Sequence, residues 1–358
     1  MTTQPTILIL VGITGDLSKR KLLPAIDGLK EKGLLPDKFK LVGVTRRDDP
    51  ALFKMDLDNK EDYLKLKDYL DSIEKEWFTS DVTPTTEAPQ RLFYLSVAPT
   101  VSMPIITLLG ESGLAGVPNT KLLLEKPFGT DLANGEELIN DIDRHFSEES
   151  VYRIDHYLQK DSVRGLASSQ MEIDTVQSIE VFASEKIGIE GRGDFYEQTG
   201  ALRDFIQSHL LEVAAMMIDP AHRLEALKSF SVTMSKVKRA QYTGYREQVE
   251  KPDSVVETFV SVEIHMDTLK VLLKTGKALD KKSTDITVVY KDSATQVISL
   301  NDTHNAYENV FQDAMNSNKQ FFVSKEEVLE NWRIITPIQD AWAKDSSDLS
   351  FYEQGSSL

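Results

Sequence analysis

Apolar and polar positions follow two rhythms along this chain. Residues 1–150 alternate short apolar runs with stretches of helical spacing. Thr6-Ile7-Leu8-Ile9-Leu10-Val11 is an unbroken run of β-propensity residues, the pattern of a strand buried on both faces. Lys40–Thr45, Arg91–Ser96 and Lys121–Leu124 repeat it. Between them lie helical patterns from Ser18 through Leu29, from Glu61 to Trp77, from Val101 to Leu109 and from Gly135 to Phe146. In the second of these, Tyr63, Leu64, Leu66, Tyr69, Leu70 and Ile73 recur at helical spacing. Pro24 predicts a kink or a broken first turn in the first helix. Strand and helix in alternation predict an open, mostly parallel sheet with helices on both faces.

The second rhythm has period two. Val176–Ala183, Ser231–Val237, Val255–His265, Thr268–Lys274, Asp285–Tyr290 and Gln296–Leu300 read as strands. Val260, Val262 and Ile264 alternate with polar neighbours, as in an antiparallel sheet with one wet face. Helices are predicted over Gly200–Met217, Asn305–Met315 and Ser324–Trp332, the last with Ser324 and Glu327 as a capping box. Asp345–Leu358 is expected to fray. The fold class is therefore α/β plus α+β: a Rossmann-type doubly wound parallel sheet, then a largely antiparallel sheet covered by helices. The expected domains are 1–150, binding a dinucleotide, and 151–358, binding substrate and mediating oligomerisation.

Composition narrows the function. The 358 residues hold 41% hydrophobic and 27% charged positions, ordinary for a globular protein, with no apolar run long enough to cross a membrane. The N-terminus enters a strand at once with no leader pattern, so a cytoplasmic location is expected. Zero cysteines exclude disulfides and thiolate chemistry. A net charge of −16 argues against a nucleic-acid partner. Any cations gathered around an anionic ligand must work against that field. No histidine and carboxylate cluster has metal-ligand spacing, so no metal is expected. No Gly-x-Ser-x-Gly or Walker pattern occurs.

Five segments carry candidate chemistry. Gly12-Ile13-Thr14-Gly15-Asp16-Leu17-Ser18 joins the first strand to the first helix, where glycines let the backbone approach a pyrophosphate at a helix N-terminus. Gly12 and Gly15 alone would also suit a purely structural turn. Arg46-Arg47-Asp48-Asp49 ends the second strand, where an arginine selects NADP and a carboxylate selects NAD. Arg46 favours NADP, while Asp48 or Asp49 would serve NAD. Glu125-Lys126-Pro127-Phe128-Gly129 follows a strand at the sheet edge that binds ligands, with Pro127 a candidate cis peptide. Arg153-Ile154-Asp155-His156-Tyr157-Leu158-Gln159-Lys160 packs a carboxylate, an imidazole, a phenol and two cations into eight residues. Arg203-Asp204-Phe205-Ile206-Gln207-Ser208-His209 supplies a second histidine beside a carboxylate. A carboxylate that orients a histidine makes a general base, and cations with a phenol suit a sugar phosphate.

The run Arg153–Lys160 resembles the signature of the glucose-6-phosphate dehydrogenase family, which has Gly where this chain has Gln159. The run Gly12–Ile26, the run Glu190–Asp204 and Thr275-Gly276-Lys277-Ala278-Leu279 are similar to the same family. The resemblance implies oxidation of glucose 6-phosphate at C1 to 6-phosphogluconolactone, with hydride transfer to NADP, the first oxidative step of the pentose phosphate pathway. It implies His209 as the base and Asp155 as the carboxylate that holds its other ring nitrogen. His156, Tyr157 and Lys160 fall at phosphate-binding positions. Glu185, Asp204, Lys277 and Lys282 fall where the family contacts sugar or phosphate, and Lys126 bridges cofactor and substrate. Gly12, Thr14, Gly15, Asp16, Leu17 and Arg46 take the cofactor. His145, His222, His265 and His304 match nothing and read as structural or surface residues.

This chain departs from the family in passing almost directly from Leu300 to the helix near Asn305, and in a shortened turn at Met266-Asp267-Thr268-Leu269. The departures leave a sugar-touching glutamine without a counterpart, remove a structural NADP site, and trim the C-terminal sheet through which a homodimer would form. Gln159 is expected to add a side chain near the phosphate pocket. Two other readings stand beside this one: a same-fold oxidoreductase for another sugar or sugar phosphate, and a non-catalytic dinucleotide-binding homologue.

Overall fold

The structure, a computed structural model, describes residues 4–78, 88–168 and 171–358. The chain divides into two compact units. The first comprises Met1–Phe128, Glu136–Gln159 and Asn305–Lys325; the second comprises Gly129–Gly135, Lys160–His304 and Glu326–Leu358.

The first unit is built on six strands: β1 (Thr6–Val11), β2 (Phe39–Thr45), β3 (Phe53–Lys54), β4 (Gln90–Leu95), β5 (Thr120–Glu125) and β6 (Val151–Ile154). They lie in the order β3-β2-β1-β4-β5-β6, all parallel. This is the doubly wound order, and its reversal between β1 and β4 opens a ligand crevice at the carboxyl ends of the strands. Every residue of β1 is buried, as its unbroken apolar run requires. The four expected strands occur within a residue of their expected ends, while β3 and β6 are additions. β3 has only two residues, too few for a periodicity. β6 shares Arg153 and Ile154 with the candidate segment Arg153–Lys160. Its Arg153 is 1% exposed and both guanidinium contacts go to Glu148, at 2.8 and 2.9 Å, so this cation is structural.

On the helix Lys60–Phe78, Tyr63, Leu66, Leu70 and Ile73 are buried, while Leu64 and Tyr69 sit at the exposed margin of the stripe. Pro24 has its expected effect. Ser18–Leu22 winds as a wide π turn, and the α-helix proper begins at Leu23. The helix Ala306–Met315, far along the sequence, buries Tyr307, Val310, Phe311 and Ala314 against Leu8, Leu10, Leu92 and Tyr94 of this first sheet.

The second unit holds an eight-stranded sheet: β7 (Val176–Ser184), β8 (Ser231–Val232), β9 (Lys238–Tyr242), β10 (Phe259–Met266), β11 (Leu269–Gly276), β12 (Ser283–Tyr290), β13 (Thr295–Ser299) and β14 (Ser350–Tyr352). The order is β13-β12-β7-β11-β10-β9-β14, with β8 also on β10. Only β7 with β11 and β9 with β14 pair in parallel. Two expectations are corrected. The strand expected over Ser231–Val237 stops at Val232, because a tight turn at Met234–Lys236 redirects the chain into β9. The C-terminal residues do not fray. β14 extends the sheet beside β9, and the Tyr352 hydroxyl donates to the Lys277 carbonyl at 2.6 Å. The polar face of β10 is also drier than its alternation suggested. Glu263 is 9% exposed and pairs with Lys270 at 2.9 Å.

Candidate active site

The crevice of the first unit begins at the turn after β1. Gly12 has φ +87, and a Cβ there would come 2.2 Å from the Ser96 carbonyl oxygen, so only glycine fits between the ends of β1 and β4. Ser18 Oγ donates to the Gly12 carbonyl at 3.0 Å and lies 2.9 Å from Ser96 Oγ, fixing the turn to both strands. Two adjoining clefts share Gly15, Ser96, Val97 and Ala98. One continues past Thr14 and Thr45 to Arg46 and Arg47. The other continues past Asp16 and Leu17 to Glu125, Lys126, His156 and Tyr307. An elongated ligand with phosphates at its middle matches this shape: glycines at the centre, cations at one end, and a mixed polar wall at the other. Asp48 and Asp49 are engaged elsewhere. Asp48 pairs with Lys54 at 2.5 Å, and Asp49 Oδ1 accepts the Ala51 N–H at 3.0 Å.

At the far end of the second cleft, the Lys126-Pro127 peptide is cis, as the sequence suggested. Glu125 closes β5 beside it. The Tyr94 hydroxyl donates to Glu125 Oε1, and Tyr307 hydrogen-bonds to the same carboxylate. Burial pushes the Glu125 carboxyl up to about 7, and the nearby Asp155 charge adds to the rise, against the lowering by the two tyrosines and Lys126. Sequence reasoning quoted Glu125 without a role and missed Tyr307 altogether. Nothing in its spacing signals that a residue after 300 closes a cleft at the end of β5.

The signature segment follows β6. Asp155 is 1% exposed, and its Oδ1 accepts the Tyr157 N–H at 2.8 Å. His156 lies between two phenols, 5.1 Å from the Tyr157 ring and stacked 6.4 Å from Tyr307. Gln159 departs from expectation. It is fully buried, and its side-chain amide donates to the Phe321 carbonyl at 3.1 Å while its backbone carbonyl accepts from the Asn309 side chain at 2.8 Å. Its side-chain amide is committed to the Phe321 carbonyl of the first unit.

The second unit gathers Lys277, Glu185 and Asp204. Lys277 is 4% exposed, ion-paired with Glu185 and 3.9 Å from Asp204. Its ammonium also lies 5.2 Å from the Tyr196 ring centre. A buried ammonium with two carboxylates presents donors and acceptors together, as a polyol requires. Lys282, five residues on, is exposed and stands outside this cluster. Asp204 and His209 lie on a helical segment that differs from the uniform helix expected. Leu202–Leu210 winds as a π-helix before the α-helix Leu211–Ile218. Gly200, at φ +65, breaks it from the preceding helix, and Glu257 Oε1 accepts the Leu202 N–H at 2.8 Å. π-helical insertions recur where a helix must aim a functional side chain. His209 is 1% exposed, with the Phe205 ring edge-on at 5.5 Å. Asp155 belongs to the first unit and His209 to the second.

Comparison with known proteins gives the family. The description "Glucose-6-phosphate dehydrogenase, NAD binding domain" matches residues 9–51 and 48–165, and "Glucose-6-phosphate dehydrogenase, C-terminal domain" matches 165–304 and 299–357. The chain belongs to the glucose-6-phosphate dehydrogenase family. Residues 9–165 accordingly match a nicotinamide-dinucleotide-binding domain. The glucose-6-phosphate 1-dehydrogenase of Chlamydia pneumoniae is 28% identical, with 99% of this chain and 93% of that protein covered. That of Zymomonas mobilis is 28% identical, covering 99% and 96%. A solved glucose-6-phosphate dehydrogenase in complex with glucose-6-phosphate shares the fold, with a TM-score of 0.86, 23% identity and coverage of 100% and 96%. The alignment to the Chlamydia protein spans 488 positions against a chain of 358, so at least 130 fall opposite gaps. The family match itself breaks at 299–304, where β13 gives way to the helix Ala306–Met315. Among the described residues, no helix is long and apolar enough to cross a membrane.

Proposed function

We propose that this chain oxidises glucose 6-phosphate at C1 to the lactone, with NADP as hydride acceptor. One observation carries the reading. The two family descriptions run from residue 9 to residue 357, and that span contains Asp155, His156, Lys160 and His209, the residues that the resemblance of the runs Arg153–Lys160 and Arg203–His209 assigns to the site. NADP over NAD is favoured by Arg46 and Arg47 on the wall of the cofactor cleft, with Asp48 and Asp49 committed to Lys54 and the Ala51 N–H.

The bound nicotinamide ring supplies the acceptor for the hydride leaving C1. The protein's own residues do the rest. Gly12 and Gly15 bring the backbone close to the pyrophosphate, and Arg46 pairs with the 2′-phosphate. His209 accepts the proton of the C1 hydroxyl as its C–O bond becomes a carbonyl. Asp155 is assigned to the imidazolium that results, on sequence grounds. Lys277, Glu185 and Asp204 bind the sugar hydroxyls, while Lys160, His156 and Tyr157 bind the phosphate. Lys282 is assigned to the substrate on the resemblance alone.

Absorbance of the reduced cofactor tests the reading directly. NADP and NAD are each offered with glucose 6-phosphate and with free glucose. Reduction that requires the phosphate and prefers NADP is expected. No reduction of either cofactor would refute the reading, and a preference for NAD would refute the assignment of Arg46.

A further inference from the structure

The family match breaks at 299–304, and the short link left there touches the end of the signature segment. We propose that Leu300–His304 sets the phosphate end of the substrate site, with Asp302 as the positioning residue for Lys160. The inference rests on the reading that Lys160 meets the substrate phosphate.

Three consecutive residues are met by the link. Lys160 Nζ donates to the Leu300 carbonyl at 2.8 Å. Asp302 Oδ2 accepts both the N–H and the hydroxyl of Ser162, at 3.0 and 2.9 Å. His304 Nδ1 lies 3.0 Å from Asp161 Oδ2. The link is itself anchored on the sheet. Leu300 is fully buried and its N–H donates to the Thr284 carbonyl at 2.8 Å, while Asn301 Oδ1 accepts the Thr284 N–H at 3.0 Å.

Lys160 precedes the short helix Asp161–Leu166, whose first N–H groups have no partner within the helix. Asp302 satisfies one of them from outside, so the start of that helix is held to the link. Lys160 is held with it. The Leu300 carbonyl fixes where the Lys160 ammonium stands, and an ammonium has three donors in all. Ordering a free lysine costs rotamer entropy, and a side chain already tethered surrenders less of it when the phosphate arrives. The device therefore acts on binding of the phosphate and leaves the hydride step untouched.

The test compares Asp302→Ala, Asp302→Asn and Lys160→Ala in the full-length enzyme. Asp302→Ala is expected to raise both the KM for glucose 6-phosphate and the inhibition constant of inorganic phosphate by roughly three- to tenfold. Its kcat, its KM for NADP and its turnover of free glucose stay within about twofold. Asp302→Asn, which keeps an acceptor for Ser162, restores most of the loss. Ser162→Ala removes one of the two bonds and gives a smaller effect in the same direction, should Asp302→Ala not fold. If Lys160→Ala weakens phosphate inhibition and Asp302→Ala does not, the inference is overturned while the phosphate assignment stands. If Lys160→Ala leaves phosphate inhibition unchanged, the assignment of Lys160 is itself wrong. A loss equal for free glucose and for glucose 6-phosphate would reduce Asp302 to a purely structural role.

Discussion

His209 and Glu125 both carry an ionisable group out of water, and they answer different tests. His209→Asn keeps the shape of the side chain and removes the proton acceptor. The expected outcome is a fall in kcat of roughly 10²- to 10⁴-fold with the KM for glucose 6-phosphate little changed. Steady-state kinetics at saturating cofactor decide it, and near-normal turnover would remove the base assignment. Glu125 reports on stability. Its carboxyl is raised from 4.5 to about 7, chiefly by burial. Between those values the folded protein holds a proton that the unfolded chain releases, so Glu125 makes stability fall as pH rises through that window. The rise corresponds to on the order of 3 kcal/mol. Glu125→Gln is expected to abolish this decline and gain on wild type between pH 4.5 and pH 8. Urea unfolding of both proteins at the two pH values measures it, and parallel curves would show that the carboxyl titrates normally.

At the scale of elements, the segment Gly193–Ile218 decides where two proposed site residues, Asp204 and His209, point. Hydrophobic spacing was enough to predict a helix from Gly200 to Met217. It could not reveal the π winding over Leu202–Leu210, which depends on hydrogen bonds shifted by one residue and leaves the apolar pattern almost unchanged. The winding starts against Glu257. A Cβ on Gly200 would come 2.5 Å from Glu257 Oε1, the atom that accepts the Leu202 N–H, and would hold an alanine at φ +65. Gly200→Ala is therefore expected to cost roughly 1–3 kcal/mol and to lower kcat, because the start of the segment bearing Asp204 and His209 must shift. Denaturant unfolding together with kinetics checks both effects. A stable variant with full kcat would mean that the contact relaxes without moving the helix. The signature run shows the same limit. Its chemistry was legible letter by letter, but Arg153 and Gln159 proved structural, because a sequence run does not reveal which of its side chains face inward.

Over the whole molecule, chain order and spatial order part company near the C-terminus. The helix Ala306–Met315 supplies core residues to the first unit, while β14 completes the sheet of the second. The Tyr352 hydroxyl donates to the Lys277 carbonyl and lies 2.9 Å from Thr258 Oγ1, so the last strand braces the backbone of a proposed sugar-binding lysine. Tyr352→Phe is expected to cost roughly 1–2 kcal/mol of stability and to raise the KM for glucose 6-phosphate modestly. Urea unfolding and the KM together test it, and an unchanged KM would confine the brace to stability. By itself the sequence determined the fold class, four of the six strands of the first sheet, the cofactor turn and the family. Those features rest on local periodicity and on motifs written in contiguous residues. Only the tertiary structure decided that Tyr307 and Tyr94 enclose Glu125, that Leu300 and Asp302 hold Lys160 and Ser162, and that the C-terminal residues form a strand. The physical reason is the same in each case. These contacts join residues 31 to 182 positions apart, and their partners are chosen by burial and by the need to pair every buried polar group, which no local pattern encodes.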